Sequence, residues 1–377
     1  MRLLRGLYRE LASEFFRERH HRQVRALDCI AFLTYNCTSC CRTCTIWQRE
    51  GSGVGELSRE QWLQTIPDLA RYGLRSFEIF GGDALLRKDA IFDVTAACRE
   101  VGMSTYFPTN ANLCDRETVR RLIGAGLGTV YLSIDDVDEL HDQVRGVPGG
   151  FSKVRAALEH FAELRGSGAS PDIVVCTTLS SLNFRNFPRL LEFLKGYPVQ
   201  AVYPRPLGEF SRQNIQSSRL DGHLPEPYFA SSDGGSHLMS PGELVEMRAM
   251  IRDVRDRSYP FYVNWHTYYG TSDLTFLRGE YPLRHCRLAT TVVTINPNGD
   301  VVPCPFFRSY VIGNLAEATL EEIWGNQRHR NFIAAQQHGR LAICRNCNTR
   351  MYYPSLSETV GYYSVRLLEK AGLYRKL

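Results

Sequence analysis

The chain has 377 residues, 44% hydrophobic and 23% charged, with a formal charge of +5, which suits an ordinary globular protein of one large domain and a smaller one. That charge is too small to argue for a nucleic-acid partner. No apolar run approaches the eighteen or so residues of a membrane span, and the first residues are too charged for a secretory signal. The twelve cysteines are therefore expected in a reducing, cytoplasmic setting, where metal or cluster ligation outweighs disulfides.

Residues 1–26 place Leu3, Leu4, Leu7, Leu11 and Phe15 at helical spacing among arginines, the pattern of a basic amphipathic helix. Such a face can lie on an anionic membrane surface; packing on the main domain with the arginines in water is the plainer expectation. A short apolar run over 29–33 then reads as a buried strand. It leads directly into Tyr35–Cys44, where Cys37, Cys41 and Cys44 are spaced C-x₃-C-x₂-C. Cys40 offers a competing C-x₂-C-x₃-C set with Cys37 and Cys44. Structural zinc sites and ordinary electron-transfer clusters are closed by four protein ligands. Three thiolates from one tight loop suit a [4Fe–4S] cluster with one iron left open to a small molecule.

From residue 27 to 212 the chain alternates β-rich runs with helical stretches, the pattern of a parallel sheet. Strands are expected at 29–33, 76–80, 104–108, 129–134, 173–177 and 199–203. Helices are expected at 59–71, 90–101, 116–124, 151–164 and 187–195. Six βα units are too few for a closed eight-stranded barrel. Cys29, Cys98, Cys114 and Cys176 sit in apolar surroundings and read as buried small hydrophobes.

Residues 213–280 form a connector rich in Ser, Gly, Asp and Pro at first, followed by a helix over 241–257 and the aromatic segment 259–269. That segment reads as a strand packing a domain junction, or as a wall of the substrate opening. In residues 281–355, Cys286 and Cys304 bracket two short β-runs joined by Pro297-Asn298-Gly299, a hairpin signal. The hairpin brings those two cysteines together, and Cys344-Arg345-Asn346-Cys347 offers two more. Four cysteines close a site, and zinc alone would fit it. Residues 356–377 repeat the basic amphipathic flavour of the N-terminus.

The cysteine loop after a first strand, together with the βα count, resembles the radical SAM superfamily, and the second cysteine set resembles its SPASM/Twitch group. The resemblance implies an α/β fold, a partial (β/α)₆ barrel followed by a small hairpin-plus-helix cluster domain. It implies that Cys37, Cys41 and Cys44 hold a [4Fe–4S] cluster to which S-adenosylmethionine (SAM) binds, and that Cys286, Cys304, Cys344 and Cys347 hold one auxiliary [4Fe–4S] cluster. Gly81-Gly82-Asp83 resembles the family's Gly-Gly-Glu-Pro loop, so Asp83 is the candidate for the SAM ammonium. Asn110 falls in a Thr-Asn-Ala run where relatives often carry Thr-Asn-Gly. Ser133 is implied at the SAM ribose and Asp135 inside the barrel, the plainer role for both being to cap the next element. Asn183, Arg205 and Glu209 follow strands five and six as substrate or SAM candidates, with an Arg205–Glu209 salt bridge as an equally good reading. Thr43 stands where an aromatic residue usually touches adenine, and Trp47 is the candidate to replace it.

The activity so implied is reductive cleavage of SAM to a 5′-deoxyadenosyl radical, which takes a hydrogen atom from an unactivated C–H bond. The auxiliary cluster would accept a second electron, with Arg205, Glu209 and Asp135 as catalytic candidates. A sugar- or cyclitol-like alcohol is the first expected substrate, and a flavodoxin- or ferredoxin-type protein the expected electron donor. A peptide substrate is less expected, because residues before Cys29 are too few for a leader-recognition domain. A lipid substrate would explain both basic ends. The non-enzyme alternative is a cluster- or zinc-bearing binding protein.

Overall fold

The structure is a computed structural model and describes residues 19–49, 55–166, 170–229, 234–265, 268, 271–281, 286–348 and 364. Of the basic amphipathic helix expected over 1–26, residues 1–18 lie outside the described residues, as does all of the tail expected over 356–377 except residue 364. Among the described residues, no helix is long and apolar enough to cross a membrane.

Six parallel strands carry the fold: β1 (Asp28–Phe32), β2 (Ser76–Phe80), β3 (Ser104–Thr109), β4 (Thr129–Ser133), β5 (Asp172–Leu179) and β6 (Ala201–Pro206). They match the six runs expected from β-propensity to within three residues at either end. Helices α1 (Arg59–Tyr72), α2 (Ile91–Glu100), α3 (Arg116–Ala125), α4 (Glu139–Arg145), α5 (Gly150–Leu164) and α6 (Phe187–Leu194) alternate with them. Local chemistry sets their ends. Ser58 and Gln61 form a capping box at the start of α1, and Gly73 closes that helix with a left-handed φ of 109°. Asp115 caps α3 by accepting from the Thr118 N–H.

Side chains alternate across the sheet, as a pleated strand requires. Phe77, Ile79, Phe107, Val130, Leu132, Ile173, Val175 and Val202 are buried under the helices. Their neighbours Glu78, Tyr106, Tyr131, Cys176 and Tyr203 are half-buried on the opposite, inner face. The sheet is curled around that face: the Arg205 charge on β6 acts on the Glu78 carboxylate on β2 although three strands lie between them. The inner face is therefore a lumen, and Cys176 belongs to it rather than to the apolar layer expected for it.

The sheet does not stop at six strands. Its order is β10-β9-β8-β1-β2-β3-β4-β5-β6-β7. At one edge, β7 (Tyr262–Val263), from the aromatic segment, pairs parallel to β6. At the other, β8 (Val292–Ile295) pairs parallel to β1, and β9 (Asp300–Val302) and β10 (Gly313–Asn314) follow antiparallel. The β8–β9 turn is where Asn298-Gly299 predicts it, with Gly299 at φ +86°. The hairpin of the expected C-terminal cluster domain prolongs the barrel sheet from the β1 edge. Pairing between residues more than 260 positions apart leaves no trace in local periodicity.

Candidate cluster and cofactor site

The loop after β1 is clamped from two sides. On one, Gly82 N–H donates to Thr34 O and Asp83 N–H to Asn36 O, at 3.0 and 2.8 Å. A Cβ at Gly82 would stand 2.2 Å from Asn36 O and 2.5 Å from Tyr35 O, so only glycine lets the two backbones meet. On the other side, Arg42 N–H donates to Val144 O at 2.9 Å. A Cβ on Gly146, which ends α4 at φ +65°, would meet Cys40 O at 2.4 Å.

This clamp sorts the cysteines. Cys37, Cys41 and Cys44 lie close together: Cys41 raises the proton affinity of Cys37, and both raise that of Cys44. Burial is the larger cause, and it pushes the Cys37 and Cys44 thiols up to about 12. Cys41 is buried and Cys40 is exposed. The C-x₃-C-x₂-C set is thus brought together and Cys40 turned away. Around them Asn110 Nδ2 donates to Thr38 Oγ1 and Ser39 Oγ at 3.1 and 3.0 Å, and Asn112 Nδ2 donates to both at 3.0 Å. Thr38, Ser39 and Asn112 were not singled out from the sequence, since single hydroxyls and amides carry no spacing signal.

Several candidate side chains are engaged within the chain. The Asp83 carboxylate accepts from Thr38 Oγ1 and from Leu85 N–H and is 3% exposed, so it caps its own turn as well as facing the loop. Asp135 accepts from Thr178 N–H at 2.8 Å and pairs with Arg145. The Asn183 amide donates to Asp135 O and Thr178 O at 2.8 and 2.9 Å and accepts from Ser180 N–H at 3.0 Å. It therefore positions Asp135 from within the core. Glu209 accepts from His237 N–H and Ser236 Oγ at 2.9 and 2.8 Å, which ties the connector to the end of β6, and among the described residues it forms no bridge with Arg205. Ser133 ends β4 on the lumen face, and Arg205 is exposed near the end of β6.

Trp47 donates its indole N–H to Cys44 O at 2.8 Å. A second ring comes from the connector: buried Tyr228 lies beside Cys44, and its carbonyl accepts from Thr45 N–H at 2.8 Å. Tyr35 extends the contact to the C-terminal region by donating to Asn296 Oδ1 at 2.7 Å.

The second constellation also converges. Cys286, Cys304, Cys344 and Cys347 line one cavity, closed on its apolar side by Phe306 and Phe307. Among the described residues no three His, Cys, Asp or Glu side chains approach closely enough to hold a single metal ion. Three thiols gathered on one loop and four lining one cavity are donor sets that fit iron–sulfur clusters at both places.

Comparison with known proteins agrees. Residues 32–199 match the radical SAM superfamily, and residues 286–348 match SPASM, an iron–sulfur cluster-binding domain. The chain is 24% identical over 334 residues to the AdoMet-dependent heme synthase of Methanosarcina barkeri, covering 85% of this chain and 90% of that one. It is 31% identical over 170 residues to the Fe-coproporphyrin III synthase of the same organism, 45% of this chain and 41% of that one. In fold it is similar to Streptococcus suis SuiB bound to its precursor peptide SuiA, with a TM-score of 0.61 and 18% identity over 85% of this chain and 71% of SuiB. The domains imply a [4Fe–4S] cluster with SAM, and auxiliary iron–sulfur binding at the C-terminal cysteines. The chain carries a radical SAM domain over residues 32–199 and a C-terminal SPASM domain over residues 286–348.

Proposed function

We propose that this chain oxidises a carboxylated small molecule, of the tetrapyrrole-acid class, held in the barrel lumen. Cys37, Cys41 and Cys44 are the ligands of the SAM-binding cluster, and Cys286, Cys304, Cys344 and Cys347 those of one auxiliary cluster. The observation that carries the reading is the sorting of the first loop, three buried thiols together and the fourth cysteine exposed. When bound, the cofactors supply hydrogen-atom abstraction and an acceptor for the second electron.

The chain supplies position and dryness. Gly81 and Gly82 bring the β2 loop against the cluster loop, Asn110 and Asn112 hold its turn, and Ser133 offers a hydroxyl at the rim. Arg145 places a cation beside Cys41, which favours an anionic ligand set there. The aromatic group of Phe210, Tyr228, Phe229 and Phe306 seals the approach between the two cysteine sets. Exclusion of water protects a reactive step from side reactions.

The substrate class is supported by the alignment with a heme synthase along most of both chains, whereas a neutral cyclitol, the expectation from resemblance, leaves the charged lumen described below without a use. Anaerobically reconstituted protein given SAM and a strong reductant is expected to form 5′-deoxyadenosine, and Cys41→Ala to abolish it while Cys40→Ala does not. Protein that takes up only zinc and never binds SAM would sink the reading.

A further inference from the structure

Glu78 sits at the middle of β2 with its side chain in the lumen. Among the described residues no hydrogen bond or ion pair closes on its carboxylate, and Arg205 is the nearest opposing charge acting on it. Arg205, on the facing wall, meets the Cys176 thiol but pairs with no carboxylate among the described residues. An acid and a base thus share one concave face without touching. Glu78 gives up hydration there without a compensating hydrogen bond, while Arg205 stays open to solvent near the end of β6. Between them runs a wall of rings: Tyr106 and Tyr131 have centroids 6.3 Å apart, and Tyr131 and Tyr203 6.1 Å. Burial holds the Tyr131 hydroxyl firmly protonated, so it stays a donor.

We propose that Arg205 and Glu78 form the substrate-recognition pair of the lumen, Arg205 taking a substrate carboxylate and Glu78 a hydrogen-bond donor on the same molecule, with the three tyrosines lying along its planar body. The proposal rests on the reading of the lumen as the substrate chamber. Arginine suits the role because its planar fork meets a carboxylate through two parallel bonds. Glu78 stands deeper, in register with Ile30 and Tyr106, and so fixes how far the molecule enters. A neutral polyol would leave the guanidinium without its counter-charge, and a hydrocarbon would strand both groups.

The test is equilibrium dialysis of the reconstituted full chain against coproporphyrin III and, separately, its tetramethyl ester. The wild-type chain is expected to bind the free acid at least tenfold more tightly than the ester. Arg205→Gln removes that preference and Arg205→Lys restores part of it, while Glu78→Leu weakens both probes. Arg205 is exposed, so its variants test recognition with little burden on folding, and the acid–ester comparison needs no variant at all. Equal binding of acid and ester, no binding of either, or an unchanged preference in Arg205→Gln overturns the proposal. SAM cleavage measured beside it on the wild-type chain separates the two ideas: cleavage without acid preference removes the recognition pair and leaves the radical SAM reading intact.

Discussion

Arg145 and Asp135 form a buried pair, with Nε of the arginine 2.7 Å from Oδ2 of the aspartate and side-chain exposures of 18% and 2%. Burial alone would weaken the arginine's hold on its proton, but Asp135 and the Cys41 thiol beside it more than offset that. The pair locks the end of α4 to the end of β4 and presses a cation against the cluster loop. Removing one partner of a buried pair costs about 3–5 kcal/mol, since it strands the other charge. Arg145→Leu is accordingly expected to lower the thermal transition sharply, and Asp135→Leu in the same chain to recover part of the loss. Thermal denaturation of the two variants under anaerobic conditions measures this; an unchanged transition in Arg145→Leu contradicts it.

The loop geometry makes a prediction about iron. Cys41 faces Cys37 and Cys44 from inside the fold, whereas Cys40 points outward. Cys41→Ala is expected to lower the iron content from two four-iron clusters to about one, and Cys40→Ala to leave it unchanged. Iron and sulfide assays on reconstituted protein distinguish these outcomes; loss of iron in Cys40→Ala alone would move the ligand.

Ala111 occupies a left-handed conformation, φ 63°, with its side chain buried. Its Cβ crowds the following carbonyl there, a cost of roughly 1–2 kcal/mol that glycine avoids. Ala111→Gly is expected to stabilise the fold by about 1 kcal/mol, the remainder being offset by the greater freedom of glycine in the unfolded chain. A denaturant midpoint no higher than wild type would count against the strain.

His329 is fully buried, its Nε2–H donating to Ala289 O at 2.6 Å and its Nδ1 accepting from Gly325 N–H at 3.0 Å. Burial first, and then Arg330, lower its pKa from 6.5 to about 4 against the opposing pull of the Ala289 carbonyl. The unfolded imidazole takes up its proton near 6.5 and the folded one only near 4. Stability present above pH 6.5 is therefore lost as pH falls toward 4, by about 3 kcal/mol in total. Urea midpoints from pH 7.5 to 4.5 should fall less steeply in His329→Gln than in wild type; parallel profiles would assign the acid limb to other groups.

Much of the architecture was legible before any tertiary contact was known. The β-rich runs marked the six strands, the stretches of helical pattern marked most of the helices between them, and Pro297-Asn298-Gly299 announced the hairpin. These signals are local, written within a few residues by propensity and turn chemistry. Both cysteine sets were equally visible, since thiols at short spacing are scarce enough to stand out.

Which of those side chains faces which was decided only by the tertiary structure. Cys40 and Cys41 are neighbours in the chain, and it is the packing of Gly82 and Gly146 that buries one and exposes the other. Asp83, Asn183 and Glu209 looked like ligand contacts by position, yet their polar atoms are engaged by partners that sequence cannot supply. Arg145 and Glu78 drew little notice or none, because a lone charge on a helix or strand has no distinguishing pattern. The sequence determines the elements and the thiol inventory, because those depend on neighbours in the chain. The curl of the sheet, the seat of the β8–β9 hairpin on β1 and the placing of Glu78 and Arg205 on one concave face depend on contacts between distant residues, where packing and charge in a low-dielectric interior make the choice.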